Sequence, residues 1–253
     1  MDEARAKFFS WVFTLFILAM LVRIPSVLLF NMPYEKLPII YLLILTIVVI
    51  EGTDVSAFGF KIQSMTRAVF YGILFYIILG GTTLSITYFI VYMVTNQTPV
   101  SSYNILPFIS AIPFHTLLVG ISEEGLFRGY IQTHLQRFYT YKAILIQAFL
   151  FGIWHFVWNI SPFDPFGMFQ YVAFTFLIGL VFGYFYSKAK NLVPLILAHG
   201  LWNSFPSGIV ENEAASNLFG QAPFSTQILS SLLSYAIAAI VALFFIKYFV
   251  KEI

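Results

Sequence analysis

Glu123 and Glu124 stand side by side in Val119-Gly120-Ile121-Ser122-Glu123-Glu124-Gly125-Leu126-Phe127-Arg128, inside a run hydrophobic enough for a membrane interior. An ionised carboxylate in apolar surroundings costs several kcal/mol, so two at one depth require partners, protons or a chemical task. Two histidines, His155 and His199, lie in equally apolar runs, each with an asparagine four residues on, Asn159 and Asn203. Carboxylates and imidazoles at one membrane depth are the parts of a centre that activates water. The expectation is a membrane-embedded hydrolase.

Helix phase divides the two carboxylates. Glu124 and Arg128 are four apart and share a face, which suits a charge-assisted pair. Glu123 is turned by about 100° from Glu124 and points away from that pair. One carboxylate is then held for support while the other is free as a general base. His199 and Asn203 share a face, as do Phe151 and His155. Taken singly, Glu124–Arg128 reads as a structural ion pair, a lone intramembrane histidine as a satisfied core residue and Phe151 as packing. His115, near one end of its helix, and His134, near the other, are expected to be structural, and Asn159 is ambiguous. The conjunction of Glu123, Glu124, His155 and His199 at one depth carries the functional reading.

The elements that must position them are membrane helices. Of 253 residues, 60% are apolar and 9% charged, whereas a soluble domain carries about 25% charged residues. A net charge of +2 without a basic patch gives no reason to expect nucleic acid. The absence of cysteine removes disulfides, thiolate metal ligands and a thiol nucleophile. A spanning helix needs about 20 mostly apolar residues. Eight candidates follow, at 8–30, 37–50, 68–94, 113–139, 141–160, 168–187, 192–205 and 227–250, the second and seventh short enough to be tilted or re-entrant. Pro107 and Pro113 argue for a loop or a short separate helix before the fourth. No cleavage site follows the first apolar run, so it is expected to be retained.

Basic residues check this count. With a cytoplasmic N-terminus, the cytoplasmic segments hold Arg5, Lys7, Lys61, Arg67, Arg137, Lys142, Lys188, Lys190, Lys247 and Lys251. The opposite side holds only Lys36, while Arg23 and Arg128 fall within spans. Such asymmetry fits eight spans with both termini cytoplasmic. The expected fold is an all-α polytopic bundle forming one domain over residues 1–253. At 1.5 Å per helical residue, Glu123, His155 and His199 lie roughly 24, 20 and 15 Å from the cytoplasmic ends of their helices.

These residues resemble the intramembrane glutamic proteases related to the type II CAAX prenyl endopeptidase, a grouping that includes bacteriocin-processing and immunity proteins. The family pattern is Glu-Glu-x-x-x-Arg, then Phe-x-x-x-His, then His-x-x-x-Asn/Asp. The chain has Glu123-Glu124-Gly-Leu-Phe-Arg128, Phe151-Gly-Ile-Trp-His155 and His199-Gly-Leu-Trp-Asn203, in that order. The motif core spans about 113–205. The resemblance implies that Glu123 with His155 activates water against a peptide carbonyl and that His199 and Asn203 stabilise the oxyanion. It implies that Glu124 and Arg128 secure the first carboxylate's helix and charge. It further implies a peptidase in the cell membrane acting on a membrane-associated peptide or lipidated protein, with the site open to the cytoplasm and no cofactor required. Two histidines and a carboxylate also make a plausible zinc set, which spacing leaves open. The rival classes are a non-catalytic immunity or scaffold protein, disfavoured by the complete motif set, and a small transporter, disfavoured by the lack of repeat symmetry. No His-Glu-x-x-His or Gly-x-Ser-Gly occurs. Asp2, Asp54 and Asp164 lie outside the expected spans, leaving no aspartyl dyad.

Overall fold

Asp164 shows how local chemistry starts a helix in this chain. Its carboxylate accepts the backbone N–H groups of Phe166 and Gly167 at 3.2 and 2.9 Å, with Pro165 in the first turn. Asn104 caps a second helix by accepting from Leu106 N–H at 3.1 Å, and the Asn191 side chain accepts from Val193 N–H at 2.9 Å to start a third. Asn96 and Lys190 end two helices in the left-handed conformation, at φ 55° and 54°. The computed structural model describes residues 3–139 and 141–253, with side chains from Phe9 onward.

The elements in order are α1 (Glu3–Phe30), α2 (Lys36–Ile50), α3 (Met65–Thr95), β1 (Val100–Tyr103), α4 (Ile105–Gln136), α5 (Tyr141–Asn159), α6 (Pro165–Ala189), α7 (Val193–Ser204), β2 (Ile209–Glu211), α8 (Glu213–Gly220) and α9 (Phe224–Phe249). The fold is all-α apart from an antiparallel ribbon in which Val100, Ser102 and Tyr103 pair with Glu211, Val210 and Ile209. Among the described residues six helices are long and apolar enough to cross a membrane: α1 from Phe9, α3, α4, α5, α6 and α9. The remaining two candidates, α2 with 15 residues and α7 with 12, are the two that the sequence marks as short. Large apolar side chains stand bare on the outside, including Leu29 on α1, Phe89 on α3 and Ile240 on α9. Such a surface suits lipid rather than water.

The prolines act differently from expectation. α4 is continuous from Ile105, and no loop separates a span starting at Pro113. Pro107 sits in the first turn, where its missing N–H has no helical acceptor to lose. Pro113 sits two residues before a π-helical segment, His115–Gly120, whose wider turns accommodate the broken ladder. A second π-helical segment, Gly125–Gln132, leaves Ile121–Glu124 as a single α-turn between two widened stretches. Both glutamates are on that turn.

Close helix approach is set by small residues. A Cβ on Gly120 of α4 would meet the Ile196 carbonyl of α7 at 2.7 Å. One on Gly179 of α6 would meet Ala148 of α5 at 2.9 Å. Buried amides then tie backbones together, Gln147 donating to Gly179 O and Gln132 to Gly183 O, both at 2.8 Å. Two apolar cores result. One is built mainly from α1, α2, α4 and α5, and the other from α3, α6, α7 and α9. The seam between them runs past Glu123 and His199.

The chain also sorts its connections into two ends. At one end Phe9 packs against Phe138 and Tyr139, Leu192 N–H bonds Gly59 O, Asn191 donates to Lys61 O, and Ile253 N–H bonds Ala189 O. At the other the β-ribbon, the Asp164 turn and α8 gather, with Tyr103 stacked on Phe205 and Phe166 tilted against Phe224. This is the alternation that the basic residues require. Arg5 and Lys7 have side chains outside the described residues. Lys61, Arg67, Arg137, Lys142, Lys188, Lys190, Lys247 and Lys251 all belong to the first end, which also holds the C-terminus.

Candidate active site

Glu123 comes from the single α-turn of α4 and is 3% exposed, yet its two oxygens have different surroundings. Oε1 takes a contact from Lys36 Nζ and the indole N–H of Trp154 at 3.0 Å. Oε2 has no hydrogen-bond partner among the described residues. It faces His155 Nε2 and His199 Nε2, each at 3.8 Å. Three helices, α4, α5 and α7, thus converge on one oxygen.

The ring orientations follow from the opposite nitrogens. His155 Nδ1 lies 2.8 Å from the Phe151 carbonyl, which can only accept, so Nδ1 carries a proton. His199 Nδ1 lies 2.7 Å from Glu124 Oε1 and donates to it by the same logic when that carboxylate is ionised. Both Nε2 atoms are therefore directed at Glu123. Glu124 Oε1 also takes Arg128 at 3.2 Å, so one oxygen secures a histidine and an arginine together. The pair on α4 keeps its four-residue register despite the widened turns. Arg128 is fully buried, with its guanidinium 4.2 Å from the centre of the Phe151 ring. Phe151 in turn packs edge-on to His155 and His199, at 4.7 and 6.4 Å between ring centres. It is a plate between the supporting ion pair and the histidines, beyond the packing role that its sequence suggests.

A second charge group is absent from the motif pattern. Arg23 of α1 donates to the Trp154 carbonyl at 2.9 Å and meets Glu35 Oε1 at 2.5 Å. Glu35 also contacts Lys36 at 3.0 Å and accepts from the Ser26 hydroxyl at 2.9 Å. Lys36, expected in an external connection, is buried at the first turn of α2 and reaches Glu123. The physical reason is the shortness of α2: its start lies at the depth of the glutamates instead of at the membrane surface. Glu123 is consequently held, not free as helix phase alone suggests. The signal for this group was Arg23, a cation inside an apolar span, which needs an acidic partner at its own depth.

These residues line one cavity of about 440 Å³. Glu123, His155, His199 and Asn203 all contribute to its wall, as do Arg23, Lys36 and His115. Asn203 lies one helical turn from His199 on the same face. Glu124 and Arg128 sit behind the wall. His115, expected to be structural, lines the cavity with Nδ1 unpartnered among the described residues. His134 is remote from it and meets Glu51 Oε1 at 2.8 Å, which agrees with a structural role. Asn159 is also outside and lines a neighbouring apolar cavity. Among the described residues no three His, Asp or Glu side chains are arranged to hold a metal ion.

The cavity lies to one side of the glutamates. Its outer lining reaches Pro33, Trp158 and Pro206, all in the half away from the C-terminus. Toward the basic end lie Leu126, Phe127, Tyr130, Phe185 and Leu192, each with no exposed surface. The layer between the glutamates and the basic end is therefore packed core.

Residues 105–205 match the family model of the Rce1-like type II CAAX prenyl endopeptidases. The match holds all six motif residues, from Glu123 to Asn203. No curated protein matches the chain. The family is one of membrane proteases, and the six long apolar helices agree with a multi-pass membrane protein.

Proposed function

We propose that this protein is an intramembrane endopeptidase that hydrolyses a peptide bond of a membrane-associated substrate with water activated by Glu123 and His155. The observation that carries the reading is Glu123 Oε2, bare among the described residues and facing two histidine nitrogens at 3.8 Å. Such separations are the kind a bridging water spans. In the proposed step a water donates to Glu123 Oε2 and to His155 Nε2, whose other nitrogen is already protonated against Phe151. The water oxygen attacks the scissile carbonyl carbon, and Glu123 takes the proton. His199 and Asn203 stabilise the oxyanion of the tetrahedral intermediate. To donate from Nε2 while Nδ1 donates to Glu124, His199 carries both ring protons, and the Glu124 carboxylate accepts the Nδ1 hydrogen bond. Collapse breaks the carbon–nitrogen bond as the proton held by Glu123 passes to the leaving amine.

In the membrane we propose eight crossing segments, counting the short α2 and α7, with both termini cytoplasmic by the positive-inside rule. The substrate is a peptide or lipid-bearing protein held in the bilayer, and no cofactor enters the proposed step. The test uses protein purified in detergent, where both ends are accessible. It is given a quenched fluorescent peptide with a farnesylated cysteine near its C-terminus, and an unprenylated apolar peptide as control, each with and without a chelator. Cleavage of either peptide that is insensitive to chelator supports the reading. Activity lost on chelation and restored by zinc would replace it with a metalloprotease using the same side chains.

A further inference from the structure

The distribution of charge and the position of the cavities together say which side of the membrane delivers the substrate. We infer that the scissile segment enters from the non-cytoplasmic face, so the substrate class is an exported or membrane-anchored peptide exposed on that face. The inference rests on the proposed peptidase chemistry for the word substrate, while the direction of access rests on separate observations.

The first is the sorting of charge. Every basic side chain described outside the buried site lies at the end that holds the C-terminus. The opposite end, made of residues 96–112, 158–167 and 205–226, contains no lysine or arginine. Its charged residues are Asp164, Glu211 and Glu213. Lys36 had been the one exception, and it is 3% exposed, paired with Glu35 and Glu123. With Lys36 assigned to the interior, the asymmetry that orients membrane proteins has no exception left. The basic end is cytoplasmic.

The second observation is where space exists. The catalytic cavity continues outward past Trp158, Tyr171 and Phe174, which it shares with an apolar cavity of about 720 Å³ between α6 and α9. That cavity is lined by residues 166–177 and 228–236, in the halves of α6 and α9 that begin at the non-basic end. Both cavities therefore lie on one side of the glutamates. The third observation is what fills the other side. Gly125 to Gln132, the turns of α4 leading to the basic end, are buried without interruption, and Phe185, Ala189, Asn191 and Leu192 close the same layer with no exposed surface. A peptide coming from the cytoplasm would have to displace that core.

Cysteine accessibility tests this directly, because the chain has no cysteine of its own. Single variants Thr175→Cys and His115→Cys report the cavity, Ser216→Cys the non-basic end and Lys188→Cys the basic end. Intact cells are treated with a membrane-impermeant sulfonate thiol reagent, and unreacted thiols are then counted after solubilisation with a maleimide probe. The expected result is protection of Ser216→Cys and of at least one cavity cysteine by the external reagent, with Lys188→Cys reacting only after the membrane is opened. Cavity cysteines that follow Lys188→Cys would overturn the inference, as would cavity cysteines that no reagent reaches from outside. Labelling of Lys188→Cys from outside would overturn the orientation itself. None of these readouts depends on turnover, so a catalytically inert protein would contradict the proposed chemistry and leave the direction of access measurable.

Discussion

Each of the two adjacent glutamates has one oxygen committed and one without a partner among the described residues, and this asymmetry separates their tasks. Glu124 Oε1 binds Arg128 and His199, while Glu123 Oε1 binds Trp154 and Lys36, leaving Oε2 toward the cavity. Lys36→Met should therefore lower kcat by roughly tenfold, about 1.4 kcal/mol, with little change in KM, because the carboxylate loses the contact that fixes which oxygen faces water. Lys36→Arg should restore most of the rate. Steady-state kinetics on protein of matched thermal stability would show this, and a Lys36→Met enzyme with wild-type kcat would remove Lys36 from the account. Asn203 provides a second check. His199 Nδ1 bonds Glu124 Oε1, and the proposed mechanism gives Asn203 the part of donating to the oxyanion. Asn203→Asp should then be as damaging as Asn203→Ala, each by roughly 10²–10³-fold in kcat. Asn203→Asp with near-normal turnover would return the residue to an orienting role. The motif residues were legible in the sequence because carboxylates and imidazoles have so few reasons to be in an apolar run. Lys36 was not legible, since its place depends on the depth at which a 15-residue helix begins.

Helix geometry determines whether those residues can meet. Short α2 lowers Lys36 to the level of Glu123, and α4 approaches α7 closely only because Gly120 has no side chain between it and Ile196. Gly120→Leu should cost several kcal/mol of stability, since the obstructing atom is a backbone carbonyl that cannot rotate away. Thermal unfolding in detergent, monitored by intrinsic fluorescence, would register the loss, and an unchanged midpoint would show that α4 and α7 are farther apart. The same length arithmetic that found eight apolar segments also marked α2 and α7 as short, and both remain short in three dimensions. What the pattern of apolar residues did not contain was the treatment of Pro107 and Pro113. A proline reads as a break, but one in a first turn loses no hydrogen bond, and one before a π-helical stretch joins a ladder already widened. The widened turns themselves have no compositional signature, because they arise from how α4 packs against its neighbours.

At the scale of the molecule, two apolar cores meet along a seam that passes Glu123, Arg128 and His199. Arg128 is fully buried in that seam, and among the described residues its ion-pair partner is Glu124. Arg128→Ala should destabilise the fold by about 3–5 kcal/mol and lower the yield of folded protein along with activity, since it leaves the buried Glu124 without its arginine. Normal thermal stability in the purified variant would show that the pair contributes little to joining the two cores. Composition made the membrane class legible, and basic residues made the two ends legible, because both properties depend on sums over many residues. The direction of access inferred above was not, since that inference depends on which layer of side chains packs without gaps. The central claim is that this seam exists to present the Glu123 carboxylate to water. Glu123→Gln preserves shape and removes the base, so its turnover of a quenched membrane peptide, compared with wild type at equal folded fraction and equal peptide binding, is the most direct measurement. The account predicts no cleavage above background with binding retained. Cleavage at the wild-type rate would contradict it.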